Sequence, residues 1–263
     1  MILKKVYSKH QNPQYYNNII ERKSMSESSK YFYIRVQGDR ALFTNPATKG
    51  GGEKYSYDVP TRQALKGIVD NIYRKPTFIN VVDEVKVINS IQRESHGTRA
   101  LLNNYTTDLS FSTYLTKVEY LIKFHFIWNI TQKDLEDDRI MEKHESIMER
   151  SIELGGRRDS FLGTRECFAT VEGISQGEYI TSQSYYEGTT KALGYMFHSF
   201  SYPAKPKEQL KANYAQTTMI DGVITFKKKS ECEFSNLIPS YRQQTPMRKP
   251  RSVNDEYAIY QNY

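Results

Sequence analysis

GGGEKYSYDVPTRQALKGIVDNIYRKP, Gly50 to Pro76, decides how the rest of the chain is read. A glycine run opens it, a short alternating stretch follows, and Pro60 turns the chain. Thr61 then stands where a helix N-cap belongs, with a hydroxyl that can accept from a first-turn backbone N–H. Ala64, Leu65, Ile68, Val69 and Ile72 share one face at helical spacing, so a helix is predicted from Thr61. Pro76 ends it, because the residue before a proline is pushed out of helical geometry. Tyr73 is thereby expected in the last turn, beside Arg74 and Lys75. Cations are favoured at the electronegative end of a helix, which explains those two without a ligand.

Upstream, YFYIRV at Tyr31 to Val36 is the first strand candidate, turned by Gly38-Asp39-Arg40, and Thr44 to Gly52 reads as a loop. Downstream, Thr77–Val82 and Glu84–Ile91 alternate as two strands or one bent strand. Gly97 to Asp108 is polar and weakly patterned. Phe111 to Ile130 is the strongest β run, with Val118, Tyr120, Ile122, Phe124, Phe126 and Trp128 on one face. His125 lies on the other face and is expected to be a satisfied strand histidine. A second helix is predicted over Asp134–Glu153, ended by Gly155-Gly156. Asp134, Glu136, Asp137 and Asp138 crowd its start, which the helix dipole accounts for more simply than a metal site does. Ile140, Met141, Ile147, Met148 and Ile152 form its apolar stripe. His144 falls inside that stripe and Lys143 on its margin.

GGRRDSFLGTREC, Gly155 to Cys167, presents Arg157, Arg158 and Arg165 either as a phosphate clamp or as partners of Asp159 and Glu166 on a solvated turn. Strand candidates continue at Cys167–Val171 and Gly194–Phe200, and Asp221-Gly222 is a turn dipeptide. The order strand, helix, strand, strand, helix, strand predicts an α+β chain. Its ferredoxin-like domain, the RRM-like plan of RNA-recognition modules, spans 31–171. A smaller β-rich subdomain is expected over 172–242, a polar basic extension over 1–30, and a flexible tail over 243–263. Met25 is a plausible initiator nearer the core.

The net charge of +7 over 263 residues favours polyanionic partners. Twenty-one tyrosines interleaved with Lys and Arg suit stacking on unpaired bases, although most fill strand positions. Two cysteines, Cys167 and Cys232, imply neither a disulfide framework nor a metal site. No apolar run approaches a membrane span and no signal peptide is read, so a cytoplasmic setting without a membrane partner is expected.

Four ordered stretches carry a resemblance. They are GDRALFTNP (38–46), GGEKYSYDVPTRQALKGI with NIYRKP, DEVKVINSIQRES (83–95), and GGRRDSFLGTREC. Together they resemble the Cas-five family of CRISPR-associated proteins, subtype I-C (Dvulg type), within the RAMP superfamily, over roughly 31–202. At Arg40 the family pattern leads one to expect an aromatic residue instead. The resemblance implies an endoribonuclease that cuts the repeat hairpin of precursor CRISPR RNA. It then holds the mature 5′ handle within a Cascade complex, against backbone and large subunits. It also implies catalytic roles for Tyr73, Lys143 and His144, RNA contacts at Lys54, Arg74, Lys75, Arg157, Arg158 and Arg165, and no metal or other cofactor. Two other readings are carried forward. One is a non-catalytic subunit that only holds the handle; the other is double-stranded DNA binding through the same basic surface.

Overall fold

Thr61 does cap the first helix: its Oγ1 accepts from the Ala64 N–H at 3.2 Å. In the computed structural model, which describes residues 28–51, 53–101, 106–203 and 209–238, this helix, α1, spans Arg62–Ile72. Leu65, Ile68, Val69 and Ile72 are its buried face. Each such side chain contributes about 1.5–3 kcal/mol on burial, which outweighs the helix propensities of the polar residues between them. Tyr73 is the C-cap and already extended, with φ −156° and ψ 125°. Arg74 and Lys75 therefore lie beyond the helix, and the dipole explanation for them does not hold.

The strands are β1 (Phe32–Ala41), β2 (Lys54–Tyr55), β3 (Phe78–Val87), β4 (Gln92–Leu101), β5 (Thr107–Trp128), β6 (Ser160–Phe161), β7 (Phe168–Gly173), β8 (Thr190–Ser201), β9 (Leu210–Ile220), β10 (Val223–Thr225) and β11 (Phe234–Ile238). Helix α2 spans Met141–Glu153 and α3 spans Gln176–Thr181. The central order is β7-β1-β5-β3, each neighbour pair antiparallel. On β5 the predicted face is the one that meets the helices, with Tyr120, Ile122, Phe124 and Phe126 all buried. The last strands extend the same sheet, since β10 pairs with β3 through Val223 opposite Lys86. Asp221 and Gly222 make the β9–β10 turn with φ of 51° and 77°.

Several expectations are corrected. β1 does not turn at Gly38-Asp39-Arg40 but stays paired with β5 as far as Ala41 opposite Leu115. Glycine is there because a Cβ at position 38 would stand 2.5 Å from Leu162 Cδ1 and 2.7 Å from the Phe168 carbonyl. The polar interval after His96 belongs to a two-stranded arm, in which β4 pairs with β5 from Gln92–Thr116 to Leu101–Thr107. Such an arm is held by backbone hydrogen bonds with little apolar burial, so no hydrophobic period marks it. Thr77–Ile91 contains the single strand β3, with a register shift between Val82 and Glu84. The second helix is shorter than predicted: Lys133–Asp138 is a 3-10 turn, and Ile140 is an extended N-cap. The expectations for residues 1–27 and for the tail lie outside the described residues.

Gly163 has φ +97°, and a Cβ there would meet the Leu42 carbonyl oxygen at 2.0 Å. Gly67, exposed in the middle of α1, has nothing within 4 Å of an added Cβ. Gly163→Ala is expected to cost at least about 2 kcal/mol, and Gly67→Ala to add about 0.5–1 kcal/mol. Thermal melts of the two variants check this: they should move in opposite directions, down by several degrees and up by about 1–4 °C.

Candidate active site

Helix α2 ends in a paired turn. The Gly155 N–H donates to the Ile152 carbonyl (2.9 Å) and the Gly156 N–H to the Ser151 carbonyl (2.8 Å). Gly155 and Gly156 have φ of 74° and 104°, which side-chain-bearing residues rarely adopt, so this sharp stop needs glycine. The turn carries the 157–160 loop against the end of α1, where Asn71 Nδ2 donates to the Asp159 carbonyl at 3.1 Å. Tyr73 is fixed from the sheet side: Asn80 Nδ2 donates to its carbonyl at 2.9 Å, and its ring lies 5.2 Å from that of Phe78.

Tyr73 and His144 meet. The phenol oxygen lies 2.8 Å from His144 Nδ1. His144 Nε2 lies 2.7 Å from the Asp138 carbonyl oxygen. A carbonyl only accepts, so Nε2 carries a proton. In the neutral ring Nδ1 then offers a lone pair, and the Tyr73 O–H donates to it. The imidazole is walled by Phe78, Phe126 and Trp128, all edge-on, at centroid distances of 5.3, 6.5 and 5.8 Å. Tyr73 is 1 % exposed and His144 0 %. Burial pushes the Tyr73 phenol above its ordinary range, and the nearby Arg157 charge pulls the other way.

Asp138 links the third candidate to this pair. Its carboxylate accepts from Lys143 Nζ (2.5 Å) and Thr77 Oγ1 (2.8 Å), and one oxygen lies 3.4 Å from His144 Nε2. The hydrogen bond from Lys143, then that from Thr77, lowers its pKa from the ordinary 3.8 to about 2. The Asp138 carbonyl holds the imidazole in one tautomer and orientation. In the sequence the acidic run 134–138 fits a helix start. Asp138 is instead the buttress of the histidine, because the helix begins three residues later. No sequence signal separated it from its three acidic neighbours; only the fold brings Thr77 to it.

The basic candidates divide. The Arg157 guanidinium lies over the Tyr73 ring at 4.6 Å, with Nε donating to Ser151 Oγ at 3.2 Å. Arg158 shares its loop. Neither they nor Arg165 forms an ion pair among the described residues, so pairing with Asp159 and Glu166 does not occur there. Arg74 and Lys75 follow Tyr73 directly and are exposed. Arg165 stands over the Phe161 ring in the β6–β7 connection, and Lys54 pairs opposite Ser112 on β5; no contact brings either to Tyr73. His125 is satisfied as expected, with Nδ1 2.7 Å from Asp83.

A carboxylate with a depressed pKa stabilises the fold fully above its unfolded value, and that stabilisation is lost as pH falls through the folded value. The difference in urea midpoint between the wild type and Asp138→Asn should therefore be constant above about pH 5 and shrink between about pH 4 and 2. Urea titrations at a series of pH values check it; a difference that persists undiminished at pH 2 contradicts the assigned pairing.

Comparison with known proteins gives the family of the chain. The family model described as CRISPR-associated protein (Cas_Cas5), in its Cas5d form, matches residues 32–227. A CRISPR pre-crRNA endoribonuclease, Cas5d of Mannheimia succiniciproducens, is 25% identical over 193 residues, 64% of this chain and 84% of that protein. Two crystal structures share the fold. A functionally uncharacterized protein from Streptococcus mutans is 58% identical with a TM-score of 0.69, over 80% of this chain and 98% of its own. A CRISPR-associated protein is 56% identical with a TM-score of 0.70, over 80% and 97%. The matched span takes in the central sheet, α1, α2 and the loop bearing Arg157, and the chain belongs to the Cas5 family of CRISPR-associated proteins.

Proposed function

We propose that this chain is a metal-independent endoribonuclease that cuts the repeat hairpin of precursor CRISPR RNA and keeps the 5′ handle within a type I-C Cascade complex. The observation that carries the reading is the hydrogen bond from the Tyr73 hydroxyl to His144 Nδ1, with Asp138 behind the imidazole. The curated relative's name adds the substrate class. We take the β-α-β-β-α-β order as ferredoxin-like, with 31–171 as the RNA-binding and catalytic unit and 172–242 as a β-rich addition.

The chemistry is transesterification. The ribose 2′-hydroxyl gives its proton to the Tyr73 oxygen as the Tyr73 proton passes to His144 Nδ1. The 2′-oxygen bonds to phosphorus and the bond to the 5′-oxygen breaks. The products are a 2′,3′-cyclic phosphate and a 5′-hydroxyl whose proton comes from water. Because burial disfavours a free phenolate, Tyr73 serves as a relay and His144 as the base. The imidazolium that forms faces the Asp138 carboxylate. Lys143, 44% exposed, supplies charge once it releases Asp138.

RNA is placed on the edge formed by the end of α1 and the 155–160 loop, where Arg74, Lys75, Arg157 and Arg158 stand. The sheet face opposite α1 and α2, where α3 lies, is a poor candidate. Arg35 there pairs with Glu119, Glu172 and Glu178, and Lys123 with Glu84. One observation favours the non-catalytic alternative, a subunit that only holds the handle: both proton-transfer groups are buried. Double-stranded DNA binding through the same edge would show steep salt dependence without hairpin preference.

Cleavage of an end-labelled repeat hairpin in excess chelator tests the choice. A single cut by the wild type is expected to persist, and Tyr73→Phe and His144→Gln are expected to slow it about 100- to 10,000-fold while hairpin binding stays within a few-fold. A hairpin bound tightly and left intact by the wild type would establish the holding subunit.

A further inference from the structure

The Arg157 guanidinium lies over the face of the Tyr73 ring, 4.6 Å from its centroid, yet its charge has no carboxylate partner among the described residues. Its Nε is anchored by Ser151 Oγ, itself committed to the Ile147 carbonyl at 2.7 Å. Among the described residues its two terminal nitrogens have no hydrogen-bond partner, and the flat guanidinium rests on the Tyr73 ring. Lys143 is placed differently, since Asp138 neutralises its charge. Beside Arg157 an open cavity of about 360 Å³ is lined by Gly155, Gly156, Arg158, Ser160 and Val171. Ser160 is 3 % exposed, and its hydroxyl has no partner in the protein. Buried hydroxyls are almost always paired, so this one marks a place where an acceptor is missing.

We propose that Arg157 is the cation that takes the reacting phosphate. In the free protein it caps the Tyr73 ring. With RNA present its two free terminal nitrogens take the non-bridging phosphate oxygens, beside the Tyr73 ring that it stands over. The adjoining cavity, lined by Gly155, Gly156, Arg158 and Ser160, holds the backbone next to that phosphate. A guanidinium suits the task because it binds two phosphate oxygens at once and keeps its charge at any working pH. The inference rests on the nuclease reading above.

The test is single-turnover cleavage of the repeat hairpin, paired with binding of the same hairpin carrying a 2′-deoxy sugar at the position the wild type cuts. Arg157→Ala is expected to cleave about 100- to 1,000-fold slower while binding the deoxy hairpin within about five-fold of wild type. Arg157→Lys, which keeps charge but not the two-point geometry, is expected to recover only a small part of the rate. Melting curves of both variants confirm folding, which the exposed position favours. Wild-type cleavage matched by Arg157→Ala overturns the inference and leaves the nuclease reading intact. A loss of binding equal to the loss of rate also overturns it, reducing Arg157 to a general RNA contact. A wild type that binds and does not cut overturns the nuclease reading, and the inference with it.

Discussion

The hydrogen bond between the Tyr73 hydroxyl and His144 Nδ1 joins two helices that otherwise share little surface. Both groups are polar and both are buried, so neither can be left without a partner; an orphaned group there costs about 1–3 kcal/mol. That requirement propagates. The His144 Nε2 proton must find an acceptor, and the Asp138 carbonyl supplies it, which fixes the 133–138 turn against the start of α2. The Asp138 side chain must then be satisfied by Thr77 and Lys143, which ties the turn to the entry of β3. The docking of α1, α2 and the edge of the sheet is thus specified by one connected set of polar atoms within an aromatic wall.

Charge is distributed to match. On the sheet face away from α1 and α2 the cations are spent on carboxylates: Arg35 on three glutamates and Lys123 on Glu84. Around the end of α1, Arg74, Lys75, Arg157 and Arg158 have no such partners among the described residues. An edge whose cations are not neutralised is where the proposed reading puts the polyanion. Tyr73 and His144 lie immediately beneath it.

Much of this was legible in the sequence, for physical reasons that differ by element. The start and face of α1 were readable because a cap and a 3.6-residue apolar period coincide at Thr61–Ile72. The β5 face was readable because Val118, Tyr120, Ile122, Phe124 and Phe126 are all buried on it, with Leu121 the one break in the alternation between Val118 and Phe126. His144 inside the α2 stripe followed from the same period. The β4–β5 arm was not readable, because backbone pairing leaves no hydrophobic signature. The break at Arg139–Ile140 was hidden too, since acidic residues suit a helix start and a 3-10 turn alike. Asp138 and Ser160 gain their significance only from partners distant in the chain, or from the lack of one. Local pattern carries no information about either.

The account turns on the direction of one proton. Long-range nitrogen–proton NMR correlation on histidine-labelled protein reads the tautomer of His144 directly, with Tyr73→Phe to assign the ring. The account predicts a neutral imidazole protonated at Nε2, with Nδ1 shifted as a hydrogen-bond acceptor and that shift lost in the variant. A ring protonated at Nδ1 would make Tyr73 the acceptor. The phenol could then not pass its proton to His144, and the relay would be contradicted.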